Sequence, residues 1–236
     1  MIYGTPPIVT SGSILNLDAT NTRSYVSGST IWRDLSGDNN IVPLTSSIYS
    51  PQGGGTIFRS DSVALVNLYN TNTNISGSTN LTIELAFYWN GVDFSNSYGA
   101  FGNYGGPNSL ISFYKNAGQG ATDSLWWLFH WQDATGSLAG NTISVATVPF
   151  IRNSFNHTTV SVKDDGRFTV TANGRVISNT IVSNFGRWRI TNSTFAVGGV
   201  NAPGFGANVV RIYNRYLSIN ESLQNYNALK SRLNLI

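Results

Sequence analysis

Cysteine is absent from the 236 residues, which excludes a disulfide framework and any thiolate metal site. Charge is scarce: Asp, Glu, Lys and Arg together make up 11% of the chain, and only two residues, Glu84 and Glu221, are glutamates. Histidine is confined to His130 and His157, and no G-x-S-x-G elbow occurs, so the material for nucleophilic catalysis is thin. No glycine-rich loop of the phosphate-binding kind is present. No apolar run approaches the ~18 residues that a membrane-crossing helix needs. The opening MIYGTPPIVTSG has no basic segment followed by an apolar one, so no signal peptide is visible. The three lysines and eleven arginines are scattered, and the net charge of +3 reflects a shortage of acids rather than a basic face. Neither nucleic acid nor a membrane surface is expected as a partner.

What the chain has in quantity is aromatic and neutral polar material. Six Trp, 11 Tyr and 12 Phe supply the apolar area for a core, and 24 Gly punctuate a sequence rich in Asn, Ser and Thr. Apolar residues recur at period two, the pattern of half-buried strands. In Leu81–Trp89 the residues Leu81, Ile83, Leu85, Phe87 and Trp89 share one face, and Thr82, Glu84, Ala86 and Tyr88 the other. Leu125 to Gln132 alternates in the same way, but both of its faces are largely apolar, which places it centrally in a sheet or beside a site. Further strands are expected at Val63–Tyr69, Leu110–Tyr114, Thr142–Val148, Thr194–Gly198 and Asn208–Asn214. Asp165-Gly166 and Asn173-Gly174 supply turn residues that tolerate positive φ, so His157 to Ile177 reads as a three-stranded meander.

One helix is expected, over Leu217 to Leu233. Ser218-Ile219-Asn220-Glu221 is a capping box, and Lys230 and Arg232 fall in the last turn, where they favour the helix dipole. Ile219, Leu223, Tyr226 and Leu233 form its apolar stripe with Leu229 at the edge, and the helix is expected to close one end of a sandwich. Many short strands with one terminal helix indicate an all-β, two-sheet antiparallel sandwich, taken as one domain over 1–236 with an N-terminal arm of about 1–12.

Both ends carry more specific patterns. Leu17-Asp18-Ala19, Ser24-Tyr25 and Trp32-Arg33-Asp34-Leu35-Ser36-Gly37 lie near the start, and Arg211-Ile212-Tyr213-Asn214-Arg215 followed by Leu217-Ser218 near the end. These resemble the opening and closing motifs of laminin-G-like, concanavalin A-like jelly-roll domains, in particular the single-domain kind found among bacteriophage virion proteins. Between the ends the likeness thins: Arg59-Ser60 stands where the family pattern has Asp-Gly. The resemblance implies a jelly roll whose first and last strands lie together. It further implies a non-enzymatic virion structural protein, decorating a capsid or associated with a tail, with other virion proteins as partners and surface glycans as further ligands. The alternative is a carbohydrate-binding lectin or adhesin module; a glycoside hydrolase ranks last.

Chemistry sets that order. Glycosidases need two carboxyls flanking the scissile bond. Glu84 is a lone acid on its strand, Glu221 serves the capping box, and Asp164-Asp165 belong to a turn, so no catalytic residue is assigned. No cofactor is expected either. Asp34, Asp38, Asn39 and Asn40 offer oxygen ligands of the kind calcium takes, but the favoured reading is that Asp34 anchors the Trp32 loop, and no metal site is assigned. The residues best suited to a glycan are Tyr98, Asn103, Tyr104, Trp126, His130 and Asp133: aromatic faces for sugar C–H groups, with amides and a carboxylate for hydroxyls. Because successive strand residues point to opposite faces, Trp127 is assigned to the core and Trp126 to the ligand side.

Overall fold

The strand Leu81–Trp89 (β6) is the centre of the architecture in this computed structural model. The structure describes residues 6–38, 40–44, 47–50, 56–59, 79–89, 98–102, 111–115, 124–129, 143–183, 185–186, 196–197 and 205–235. On one side β6 pairs antiparallel with β11 (Ser154–Val162), and on the other with β15 (Phe205–Tyr213). Beyond β11 come β12 (Arg167–Ala172) and β13 (Arg175–Ile181), which complete the meander expected from the two turn signals. Asn173 and Gly174, with φ of 44° and 75°, form its second turn, and Gly166, with φ of 79°, belongs to the first. Beyond β15 lie β5 (Thr56–Arg59) and β4 (Ser47–Ser50). The edge of β15 is shared: Gly206 and Ala207 pair with β5, while Val209 to Tyr213 pair with β1 (Ser13–Asp18). The first and last strands therefore lie side by side, as the end motifs imply.

A second sheet runs in the order β10 (Ile143–Pro149), β9 (Ser124–Phe129), β8 (Ile111–Lys115), β7 (Tyr98–Gly102) and β14 (Ala196–Val197). β9 is interior to it, as two apolar faces suggest. A short ribbon, β2 (Ile31–Arg33) with β3 (Ile41–Pro43), carries the fully buried Trp32. The expected strand at Val63–Tyr69 lies outside the described residues. The result is a two-sheet antiparallel jelly-roll sandwich with a C-terminal helix.

Both faces of β6 are buried, and by different layers. Leu81, Ile83, Leu85, Phe87 and Trp89 join Leu15, Leu17, Val160, Val162, Phe168, Val170, Val210 and Ile212 in the core between the sheets. Trp127 belongs to this core and is fully buried; its indole N–H donates to Thr158 Oγ1 across the sandwich at 3.0 Å. The opposite face of the large sheet, including Ala86, Phe155 and Val209, is covered by α1 (Ile219–Leu233) through Tyr226, Leu229 and Leu233. The helix thus lies across an outer sheet face and does not close an end of the sandwich. Its buried stripe is Ser222, Asn225, Tyr226, Leu229 and Leu233, rotated from the expected one, with Ile219 and Leu223 only half-buried. The cause is Asn225, whose amide is drawn inward by polar groups on the sheet. The capping box forms as read from the sequence: Glu221 N donates to Ser218 Oγ (3.3 Å) and Ser218 N to Glu221 Oε2 (2.9 Å).

Residues 7–11 run along α1 and β15. Val9 N donates to Asn225 Oδ1 (2.8 Å), Gln224 Nε2 to the Pro7 carbonyl (2.7 Å) and Arg215 Nε to the Ser11 carbonyl (2.8 Å).

Candidate functional site

The polar residues beneath α1 converge on Glu84. Its Oε1 accepts from Arg211 Nη1 at 2.9 Å and from His157 Nε2 at 3.0 Å; its Oε2 accepts from Asn225 Nδ2 at 2.8 Å and from the Tyr213 hydroxyl at 3.1 Å. Arg211 also donates through Nε to Asn16 Oδ1 (3.0 Å) and lies 3.8 Å from Asp18, which itself binds Arg232 at 2.8 Å. Strand pairing explains the convergence, since Arg211 stands opposite both Glu84 and Asn16, and His157 opposite Ala86. Burial by itself pushes the Glu84 carboxyl up. The Arg211 charge, then the His157 and Tyr213 hydrogen bonds, outweigh burial and hold it at about 2. Burial, and next the Glu84 charge, raise the Tyr213 hydroxyl above its ordinary value, so it remains a donor.

This cluster has the composition of an active site but not the access. Glu84 is 0% exposed, and each carboxylate oxygen is already occupied by two donors. A carboxyl held at about 2 is ionised at neutral pH and cannot serve there as a general acid. Its chemistry is internal: it fastens β6, β11, β15 and α1 to one another.

An open cleft lies beside it. Pro149 to Ile151, the β12–β13 turn from Ala172 to Arg175, Ile177, and the α1 residues Tyr226 and Lys230 enclose a volume of about 490 Å³. Its walls are pinned from below by two amides. The buried Asn156 accepts from Ile151 N (2.9 Å) and donates to the carbonyls of Ile151 (2.9 Å) and Ser154 (3.1 Å). Asn173 donates to Asn156 Oδ1 (3.1 Å) and accepts from His157 N (2.8 Å), which ties the hairpin to the same anchor. Gly174 sets the floor: a Cβ built on it would stand 2.5 Å from the Tyr226 ring, so only glycine lets hairpin and helix approach this closely. Tyr226 also meets the His157 ring, with centroids 5.6 Å apart and planes at 59°, so the cleft floor rests on the Glu84 cluster. Lys230 Nζ lies 5.6 Å from the Tyr226 ring centroid.

Of the residues singled out from the sequence, two lie on described strands. Asn103, Tyr104, His130 and Asp133 lie outside the described residues. Tyr98 is on β7 and Trp126 on β9. The register aligns Trp126 with Tyr114 and Gly99, and Tyr98 with Lys115. Asp34 acts as the loop anchor: its carboxylate accepts from Asn16 N (2.7 Å), Ser36 N (2.8 Å), Ser36 Oγ (2.6 Å) and Asn40 Nδ2 (2.7 Å). Among the described residues no group of three or more acids and histidines is placed to hold a metal ion. Sequence reasoning missed the cleft; the signals were Asn173-Gly174 and Lys230, which were read only as a turn and a helix-end charge.

The fold defines the class of molecule, an antiparallel β-sandwich of jelly-roll type, and comparison with solved structures finds the same fold. The binding domain of Paraclostridial Mosquitocidal Protein 1 superposes with a TM-score of 0.66 at 19% identity, over 93% of this chain and 52% of that one. The botulinum neurotoxin serotype D ligand binding domain in complex with N-acetylneuraminic acid gives 0.61 at 14% identity, over 92% and 51%. A mutant of Trypanosoma rangeli sialidase displaying trans-sialidase activity gives 0.60 at 14% identity, over 96% and 34%. The chain spans about half the length of the two toxin domains. At these identities the likeness is one of fold. No protein-family model and no curated protein matches the sequence.

Proposed function

We propose that this chain is a non-enzymatic, glycan-binding β-sandwich module. The observation that carries the reading is the cleft between the β12–β13 hairpin and α1, with walls already pinned by the amides of Asn156 and Asn173. Saccharide sites combine an apolar wall for C–H groups with a few fixed polar groups for orientation. Here Ile151, Ile177 and the edge of Tyr226 supply the first, and Arg175 and Lys230 the second. The likeness of fold to toxin receptor-binding domains, one of them solved with N-acetylneuraminic acid, supports the same reading. The internal use of Glu84 argues against hydrolysis by paired carboxyls. Residence on a bacteriophage particle is the narrower form of the proposal and rests on the resemblance of the end motifs; a lectin or adhesin needs only the cleft. The outer face of the second sheet, with Trp126, is proposed as a further contact.

A glycan array probed with the folded chain tests the function. Binding to a restricted set of glycans is expected, with no release of reducing ends from laminarin, agar-type or bacterial surface polysaccharides. A folded chain that binds no glycan, or one that turns a polysaccharide over, refutes the proposal.

A further inference from the structure

We infer that the cleft between the β12–β13 hairpin and α1 takes an acidic saccharide, one whose carboxylate lies between Arg175 and Lys230. This deepens the glycan-binding reading and rests on it. The first argument is charge. The chain is short of acids, and several of its cations consume them: Arg211 is paired with Glu84, Arg215 with Glu221, Arg232 with Asp18, and Lys163 and Arg167 with Asp165. Arg175 and Lys230, both exposed, have no carboxylate within 4.0 Å among the described residues, and no Asp or Glu is among the residues lining the cleft. Two cations on opposite walls of one opening, with no internal counter-ion among the described residues, make a site for an anion.

The second argument is the kind of anion. α1 presents its C-terminal half to the cleft, whose terminus carries roughly half a negative charge. Two full positive charges outweigh that half charge and leave the opening net positive, and the lining residues offer no helix N-terminus or glycine nest of the kind that binds phosphate. Arg175 offers a planar fork that matches a carboxylate. Lys230, set over the Tyr226 ring, offers a point charge. The remaining wall is apolar through Pro149, Ile151 and Ile177, which suits a sugar ring and not a bare inorganic ion. A volume of about 490 Å³ is of small-ligand size.

The test is an amide NMR titration of the isotopically labelled full chain. The probes are the methyl glycoside of N-acetylneuraminic acid, its methyl ester, methyl glucuronide, methyl glucoside and sodium sulfate. The acidic glycosides should move the amides of Asn173, Gly174, Arg175 and Lys230 and bind at least about tenfold more tightly than their neutral counterparts. Arg175→Gln and Lys230→Gln, both at exposed positions, should each weaken binding about tenfold while the melting temperature is unchanged. Equal binding of acid and neutral forms, or shifts confined to the second sheet around Trp126, would overturn the inference and leave glycan binding standing. Sulfate acting as strongly as the glycosides would overturn the saccharide assignment. No response to any saccharide, together with an array on which no glycan binds, would overturn the functional reading itself.

Discussion

Replacing Glu84 by Gln removes one negative charge and leaves the shape nearly intact, so it isolates what the buried carboxylate contributes. In the folded chain the carboxyl titrates at about 2, against an ordinary value of 4.5. At roughly 1.4 kcal/mol per pH unit that interval corresponds to about 3 kcal/mol of stability. Mutational experience with buried ion pairs points to a similar size: removing one partner costs about 3–5 kcal/mol, because the other charge is left buried and uncompensated. Here that charge is Arg211, 1% exposed, with Asp18 at 3.8 Å as its remaining carboxylate. The direction with pH follows from the depressed value. The folded chain binds fewer protons at this site than the unfolded chain, so the contribution is complete above 4.5 and is lost as pH falls through about 2. Urea unfolding of wild type and Glu84→Gln, followed by far-UV circular dichroism from pH 7 down to pH 2, should show a gap of about 3 kcal/mol at pH 7. The gap should close toward pH 2. A gap below about 1 kcal/mol at pH 7 would refute the assignment, since a buried pair broken on one side costs more than an exposed one. A gap independent of pH would refute the electrostatic reasoning.

Two further substitutions test the frame around the site. Ser218→Ala should lower stability by about 1 kcal/mol by removing the acceptor for Glu221 N; an unchanged urea midpoint at unchanged slope would show that Ser218 is not the cap. Trp127→Ala should cost about 3–5 kcal/mol, since it empties a fully buried site and removes the donor to Thr158 Oγ1, whereas Trp126→Ala should be far milder. Calorimetric melting of the two variants checks this, and the reverse order would invert the assignment of faces.

Local interactions were legible before any coordinates. The capping box spans four residues, the meander turns two each, and period-two alternation identifies the core face of β6 without knowledge of its neighbours. The other face of β6 was not legible. Glu84 reads as a lone acid on a strand, and its partners lie far along the chain: Arg211 is 127 residues away and Asn225 is 141. The rotation of the helix stripe has the same origin, because hydropathy ranks Leu223 above Asn225, whereas Asn225 is required inside to donate to Glu84. The aromatic set chosen for a glycan shows the limit from another side. Residue type suggested Tyr98 and Trp126 together, whereas their strand partners, Lys115 and Tyr114, are a property of three paired strands that spacing along the chain does not give.

The sequence by itself determined that this is an antiparallel sandwich with one capped terminal helix, because periodicity, turn chemistry and capping act over a few residues. Its end motifs also pointed correctly to paired first and last strands. Only the tertiary structure decided what those motifs are for. Pairing β15 with β6 brings Arg211 and Tyr213 to Glu84, and pairing it with β1 brings Asn16 and Asp18 to Arg211, so these polar groups are spent on internal cohesion. Arg175 and Lys230, unremarkable in the sequence, are left facing one cleft without a counter-ion among the described residues. The physical reason is that a buried charge must find its partner within a few ångströms, and which residues come that close is settled by packing across the whole chain, not by spacing along it.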